Sequence, residues 1–267
     1  MNRRIGSILL AILIAPLAAS GQANKELNDK LFEAVRAGDA AQVTALLDKG
    51  ADVNARYRYG MTALFKAAER GNLEVTKILL ARGVDVKIKD SFYGATALSW
   101  ALQNDHNEVA QAILVKDPAS VDEVLLTGAR GGSVQLVDIA LAQGGAKPET
   151  LTMALAASMS DPKRAPITEK LRKAGGVPPP TIDVAILQTY TGNYKSERGT
   201  TMSLIVKDGG LWAQFTGQPP LALAAVDKVS FKPVDFDGLV LTMTAEGDKI
   251  VGFNLKQGTT NTVYKKE

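Results

Sequence analysis

The sequence predicts a multidomain α + β protein: an α-solenoid of four to five short repeats, the terminal ones degenerate, followed by a small antiparallel eight-stranded β-barrel. Two observations carry this expectation. The first is self-similarity. Ala34, Gly38, Leu46-Leu47, Gly50 and Val53 recur 33 residues later as Ala67, Gly71, Leu79-Leu80, Gly83 and Val86. A fixed period of that length marks stacked supersecondary units. The second is a change of texture at Val177-Pro178-Pro179-Pro180-Thr181, a proline-rich linker. Beyond it the helical period gives way to short β-rich runs separated by turn residues.

Residues 1–23 precede the repeats and read MNRRIGSILLAILIAPLAASGQA. Arg3 and Arg4 form a positive start, Ile8 to Ala18 an apolar run, and small residues follow up to Ala23. This is the three-part plan of a secretory signal peptide. Cleavage after Ser20 or Ala23 puts small residues at both −3 and −1. The apolar run is shorter than the roughly 20 residues a membrane span needs, so an uncleaved anchor helix is the weaker alternative. The expectation is a bacterial protein, periplasmic or secreted, with no span left after cleavage.

Composition excludes much chemistry. The 267-residue chain has no cysteine and one histidine, His106. No disulfide, iron–sulfur cluster, cysteine-ligated zinc or cysteine nucleophile is available, and no metal or cofactor site is expected. Hydrophobic residues make up 46% and charged residues 22%, an ordinary globular balance. Residues 24–176 carry 20 basic and 19 acidic side chains, and residues 177–267 carry nine of each. Neither part presents the basic field that phosphate backbones require, so nucleic acid is not an expected partner.

Within each repeat the pattern has a physical reading. Ala67-Ala68 lies on a short first helix, where small residues let neighbouring repeats approach. Gly71 ends that helix in the left-handed conformation most residues avoid. Val75, Ile78 and Leu79 form the apolar stripe of a second helix, which Gly83 ends. A helical pair this short must bury its stripe against copies of itself. A third copy begins at Thr96, with an offset of 34, a fourth runs from Leu125, and a worn fifth spans Leu151 to Gly176. Residues 60–86 resemble the ankyrin repeat almost position by position, with Thr62-Ala63-Leu64-Phe65 in place of the family's Thr-Pro-Leu-His. The resemblance covers about residues 28–176. It implies protein binding through β-fingers and a concave face. Copies one and four lack the Gly-x-Thr hairpin, so no finger is expected there.

Residues 182–267 show eight strand-like runs: 192–195, 201–206, 211–215, 221–226, 229–232, 239–244, 250–256 and 261–265. Such a meander protects its edges by closing into a barrel, with 182–189 as a short capping helix. Leu187, Tyr190, Gly192, Tyr194, Gly210-Leu211, Gly217-Gln218-Pro219, Phe231 and Gly252-Phe253 resemble a lipocalin-like barrel that accompanies β-lactamase-like serine hydrolases. Trp212, Phe215, Phe231 and Phe253 are expected inside and favour a filled interior. A small apolar ligand held in the barrel is the alternative.

No catalytic set is legible. Ser160-Asp161-Pro162-Lys163 matches S-x-x-K, but Pro162 argues for a loop, and the companion motifs of the hydrolases are absent. His106 reads as a structural turn residue. The expected function is therefore non-catalytic protein binding. Candidate partner-contacting residues are Arg58, Tyr59 and Met61 on one finger, and Phe92 and Tyr93 on the next. Glu69, Arg70, Gln103 and Asn104 flank them at the ends of first helices. Tyrosine and arginine are the side chains most enriched in binding hot spots.

Overall fold

The computed structural model describes residues 17–236 and 238–267. The expected leader at 1–23 lies outside the described residues, apart from the backbone from Leu17 onward. Backbone contacts divide the chain into two compact units, one ending at Asp117 and one running Pro118–Glu267.

Among the described residues, the first unit contains three helix pairs: α1 (Leu17–Ala37) with α2 (Ala40–Asp48), α3 (Ala63–Glu69) with α4 (Leu73–Ala81), and α5 (Ala97–Gln103) with α6 (Asn107–Lys116). One device turns each pair. A residue in the left-handed region ends the first helix, at Gly38 (φ 77°), Gly71 (φ 67°) and Asp105 (φ 57°). A polar residue then starts the second. Asp39 accepts the Gln42 N–H and Asn72 the Val75 N–H, satisfying donors that a helix start leaves open. His106 holds the equivalent place in the third pair but reaches elsewhere: its Nε2 lies 3.1 Å from the Glu69 carbonyl oxygen of the preceding repeat. It is thus a turn residue that also bridges repeats. The core is the shared stripe, with Leu31, Val43, Leu64, Val75, Leu79, Leu98, Val109 and Ile113 buried.

The second unit opens with two more pairs, α7 (Val121–Gly131) with α8 (Val134–Gln143), and α9 (Pro148–Met159) with α10 (Ala165–Lys173). A 3-10 turn at Pro118–Ser120 leads directly into α7, so the fourth copy has no finger. The S-x-x-K match falls where α9 ends. Ser160 Oγ donates to the Ala157 carbonyl, and Lys163 sits in a separate 3-10 turn.

After the proline-rich stretch, α11 (Val184–Tyr190) precedes eight strands. These are β1 (Gly192–Ser196), β2 (Thr201–Lys207), β3 (Gly210–Phe215), β4 (Leu221–Ala225), β5 (Ser230–Pro233), β6 (Leu239–Glu246), β7 (Lys249–Gln257) and β8 (Thr260–Lys266). Each pairs antiparallel with the next, and β8 closes on β1. Alternation sends Tyr194, Leu204, Leu211, Phe231, Leu241 and Phe253 inward. Rings occupy the interior: Phe253 lies 4.9 Å from Tyr194 and stacks at 4.8 Å on Tyr264. From α11, Leu187 and Tyr190 join this core. The Tyr190 hydroxyl donates to the Lys228 carbonyl. Burial pushes the Tyr194 phenol up to about 12.

Trp212 departs from expectation. It lies on the opposite face of β3 from Leu211 and Ala213, so its ring is outside. There its Nε1 donates to the Lys207 carbonyl and the Lys207 ammonium sits over the ring. Phe215 shares the parity of Leu211 and is partly buried against the core.

Candidate functional site

The two fingers rise from the loops between repeats. In the first, Tyr57 N–H donates to the Met61 carbonyl at 2.8 Å, closing a turn over residues 58–60. Tyr57 anchors it. Its ring lies 4.3 Å from Phe32 of α1, and its hydroxyl donates to the Asn28 carbonyl. Tyr59 occupies the left-handed region at φ 59°, ψ 24°. A bulky residue pays strain there, and such strain concentrates at binding and catalytic sites. In the second finger Lys89 pairs with Thr96, and the Asp90 N–H donates to the Ala95 carbonyl.

The fingers are neighbours. The Ser91 N–H donates to the Tyr59 carbonyl at 2.8 Å, so the strained turn at Tyr59 supplies the acceptor that joins them. Three rings follow: Phe92 lies 5.7 Å from Tyr59 and 4.5 Å from Tyr93. Tyr93 in turn lies 6.3 Å from Trp100 on α5. Tyr59 is 43%, Phe92 66% and Tyr93 70% exposed, values far from those of core aromatics.

A pocket of about 310 Å³ lies among them, lined by Tyr59, Met61, Asp90, Phe92, Tyr93 and Trp100. Asp90 organises it. Its carboxylate accepts the Phe92 N–H at 2.9 Å, the Tyr93 N–H at 2.5 Å and the Trp100 indole N–H at 3.1 Å. Burial pushes its pKa up, but donors led by the Tyr93 N–H and the Trp100 indole outweigh burial and hold the carboxyl below its ordinary value. A smaller pocket of about 90 Å³ adjoins it across Met61 and Trp100, lined also by Phe32, Thr62, Phe65, Lys66 and Glu69. There Glu69 pairs with Lys66. Thr62 Oγ1 is buried with no hydrogen-bond partner among the described residues. Thr96, its counterpart one repeat on, finds Ser99 Oγ at 3.1 Å. Phe65 stands where Ser99 would and offers Thr62 no such group.

The structure therefore gathers Tyr59, Met61, Phe92 and Tyr93 in one place, with the Arg58 guanidinium over the Tyr59 ring at 4.7 Å. Glu69 belongs to the adjoining pocket. Arg70 does not join them: it lines an open depression beside Glu26, Asp29, Glu33 and Arg36 of α1. Gln103 and Asn104 line neither pocket, and the Asn104 amide donates to the Trp100 carbonyl. Sequence reasoning passed over Asp90, Trp100, Phe32 and Thr62. A signal existed for Asp90, since an aspartate opening a turn accepts N–H groups two and three residues on. None marked Trp100, whose place depends on how the second finger folds over α5.

A family model described as ankyrin repeats, three copies, matches residues 31–125. The chain is 42% identical over 84 residues to a human (Homo sapiens) mitochondrial disaggregase, covering 32% of this chain and 12% of that protein. It is 39% identical over 88 residues to the E3 ubiquitin-protein ligase XBAT33 of Arabidopsis thaliana, covering 33% and 17%. It is 26% identical over 129 residues to an ankyrin repeat, SAM and basic leucine zipper domain-containing protein of Dasypus novemcinctus, covering 45% and 27%. The chain thus spans a minor part of each relative's length.

Proposed function

We propose that the ankyrin repeats act as a non-catalytic protein-binding module, with the paired fingers as the centre of the partner site. The observation that carries this reading is the row of exposed rings at Tyr59, Phe92 and Tyr93, held on two hydrogen-bonded fingers. Exposed aromatic clusters on rigid loops have little structural use and suit hot spots. The barrel serves as an appended module whose interior is taken up by its own side chains. The module works after export, in a periplasmic or secreted location, once the leader is removed.

Affinity capture from a periplasmic extract, read by mass spectrometry, is run with the native chain and with a folded Tyr59→Ala, Tyr93→Ala double variant. The expected result is a protein retained by the native chain and lost by the variant. Equal recovery by both would overturn the finger assignment. N-terminal sequencing of the exported protein should start at Gly21 or Asn24; a cytosolic protein retaining Met1 would refute export.

A further inference from the structure

We propose that the pocket between the two fingers recognises a cation, namely the arginine or lysine side chain of a partner protein; this rests on the partner-binding reading above. The walls are aromatic. Tyr59 and Phe92 are inclined at 54°, Phe92 and Tyr93 at 87°, and Tyr93 and Trp100 at 61°. Aromatic faces carry negative potential and attract organic cations.

The charge of the wall decides which occupant fits. Asp90 is 4% exposed and lines the pocket, which has no basic side chain in its lining. Its hydrogen-bond donors include the Phe92, Tyr93 and Ala95 backbone N–H groups and the Trp100 indole, all neutral, so they solvate the carboxylate without balancing its charge, and no cation among the pocket's lining residues does so. An apolar anchor would fill the space beside that charge without supplying a counter-charge. A guanidinium or ammonium group would balance it at short range while resting on the rings. Arg58 already makes such a contact with Tyr59, from a position outside the pocket lining. The pocket lies among exposed finger residues and, at about 310 Å³, is at the small end of the range of ligand sites. A side chain presented by a partner fits it better than a ligand needing full enclosure.

The test uses the whole chain carrying Trp212→Phe, so that Trp100 is the single indole reporting. N-acetyl-arginine amide and N-acetyl-lysine amide are titrated against N-acetyl-norleucine amide, a neutral chain of similar length, and against choline. The expected result is a saturable change in Trp100 emission, with the cationic amides bound about tenfold more tightly than norleucine. Phe92→Leu, at an exposed position that does not threaten the fold, should remove most of that preference, and Asp90→Asn should do the same. Equal binding of norleucine, or no saturable change with any probe, would overturn the proposal. Choline binding more tightly than both amides would overturn the side-chain assignment in favour of a small quaternary ammonium. The two readings fail separately. If ring-dependent capture of a partner persists without cation preference, only this inference falls. If cations bind but no captured protein depends on the rings, the docking reading falls.

Discussion

Trp100 Nε1 donates to Asp90 Oδ2 across 3.1 Å, tying the second finger to the first helix of the third repeat. The other oxygen of the same carboxylate accepts the Phe92 and Tyr93 N–H groups. One side chain thereby sets where two rings leave the backbone and where the pocket meets a third.

Asp90→Ala removes charge-assisted hydrogen bonds and should cost about 1.5–3 kcal/mol, with a red shift of Trp100 emission. The acid response follows from the depressed carboxyl. Its folded value lies below the ordinary 3.8, so its stabilisation is fully present above pH of about 4. That stabilisation is lost as pH falls through the lower folded value. In the chain carrying Trp212→Phe, a fluorescence titration should show the finger intact at pH 5 and loosening below about pH 4. An acid transition identical in Asp90→Ala would assign it to other groups.

Thr62 is a different case, a hydroxyl buried without a partner among the described residues. Thr62→Val keeps the shape and removes the unsatisfied group. It should leave the protein unchanged or more stable by up to about 2 kcal/mol. Calorimetry decides, and clear destabilisation would mean that the hydroxyl has a partner in solution.

Gly71→Ala should be costly for two reasons that can be separated. The backbone sits at φ 67°, and an added Cβ would lie 2.5 Å from His106 Nδ1. The strain term is about 1–3 kcal/mol, and displacing the ring also breaks its bond to the Glu69 carbonyl. In a double-mutant cycle, Gly71→Ala with His106→Ala should cost less than the two losses added together. Simple additivity would show that the contact carries no energy.

Leu79 is fully buried on α4. Leu79→Ala should cost about 2–5 kcal/mol. The loss should fall on the first compact unit, because repeats are held by contacts with their neighbours. Hydrogen exchange should show protection reduced through α3 to α6 and retained in β1 to β8. Equal loss in both would mean that the two units unfold together.

The helix pairs were legible because the repeat signal is local. A left-handed residue at 38, 71 and 105, followed by a polar cap, fixes each turn within a few positions. The strands were legible for a similar reason, since runs between turn residues have little choice of extent. Trp212 shows the limit of that reading. Trp212 and Phe215 stand three positions apart on one strand, so they cannot both face inward. Hydrophobicity alone did not say which would yield.

What the sequence by itself determined was therefore the order of elements: a repeat array carrying two aromatic fingers, then an eight-stranded meander. Short-range periodicity and turn chemistry specify that much, because each element needs only a buried stripe and correct ends. Tertiary structure alone decided which fingertip residues share a site. Stacking of repeats set Ser91 against Tyr59, and folding of the finger over α5 brought Trp100 under Asp90. The same stacking sent Arg70 to a separate depression, although Glu69 beside it lines the smaller pocket. Adjacent residues on a helix point about 100° apart, so neighbours in sequence part company where the fold presents only one face.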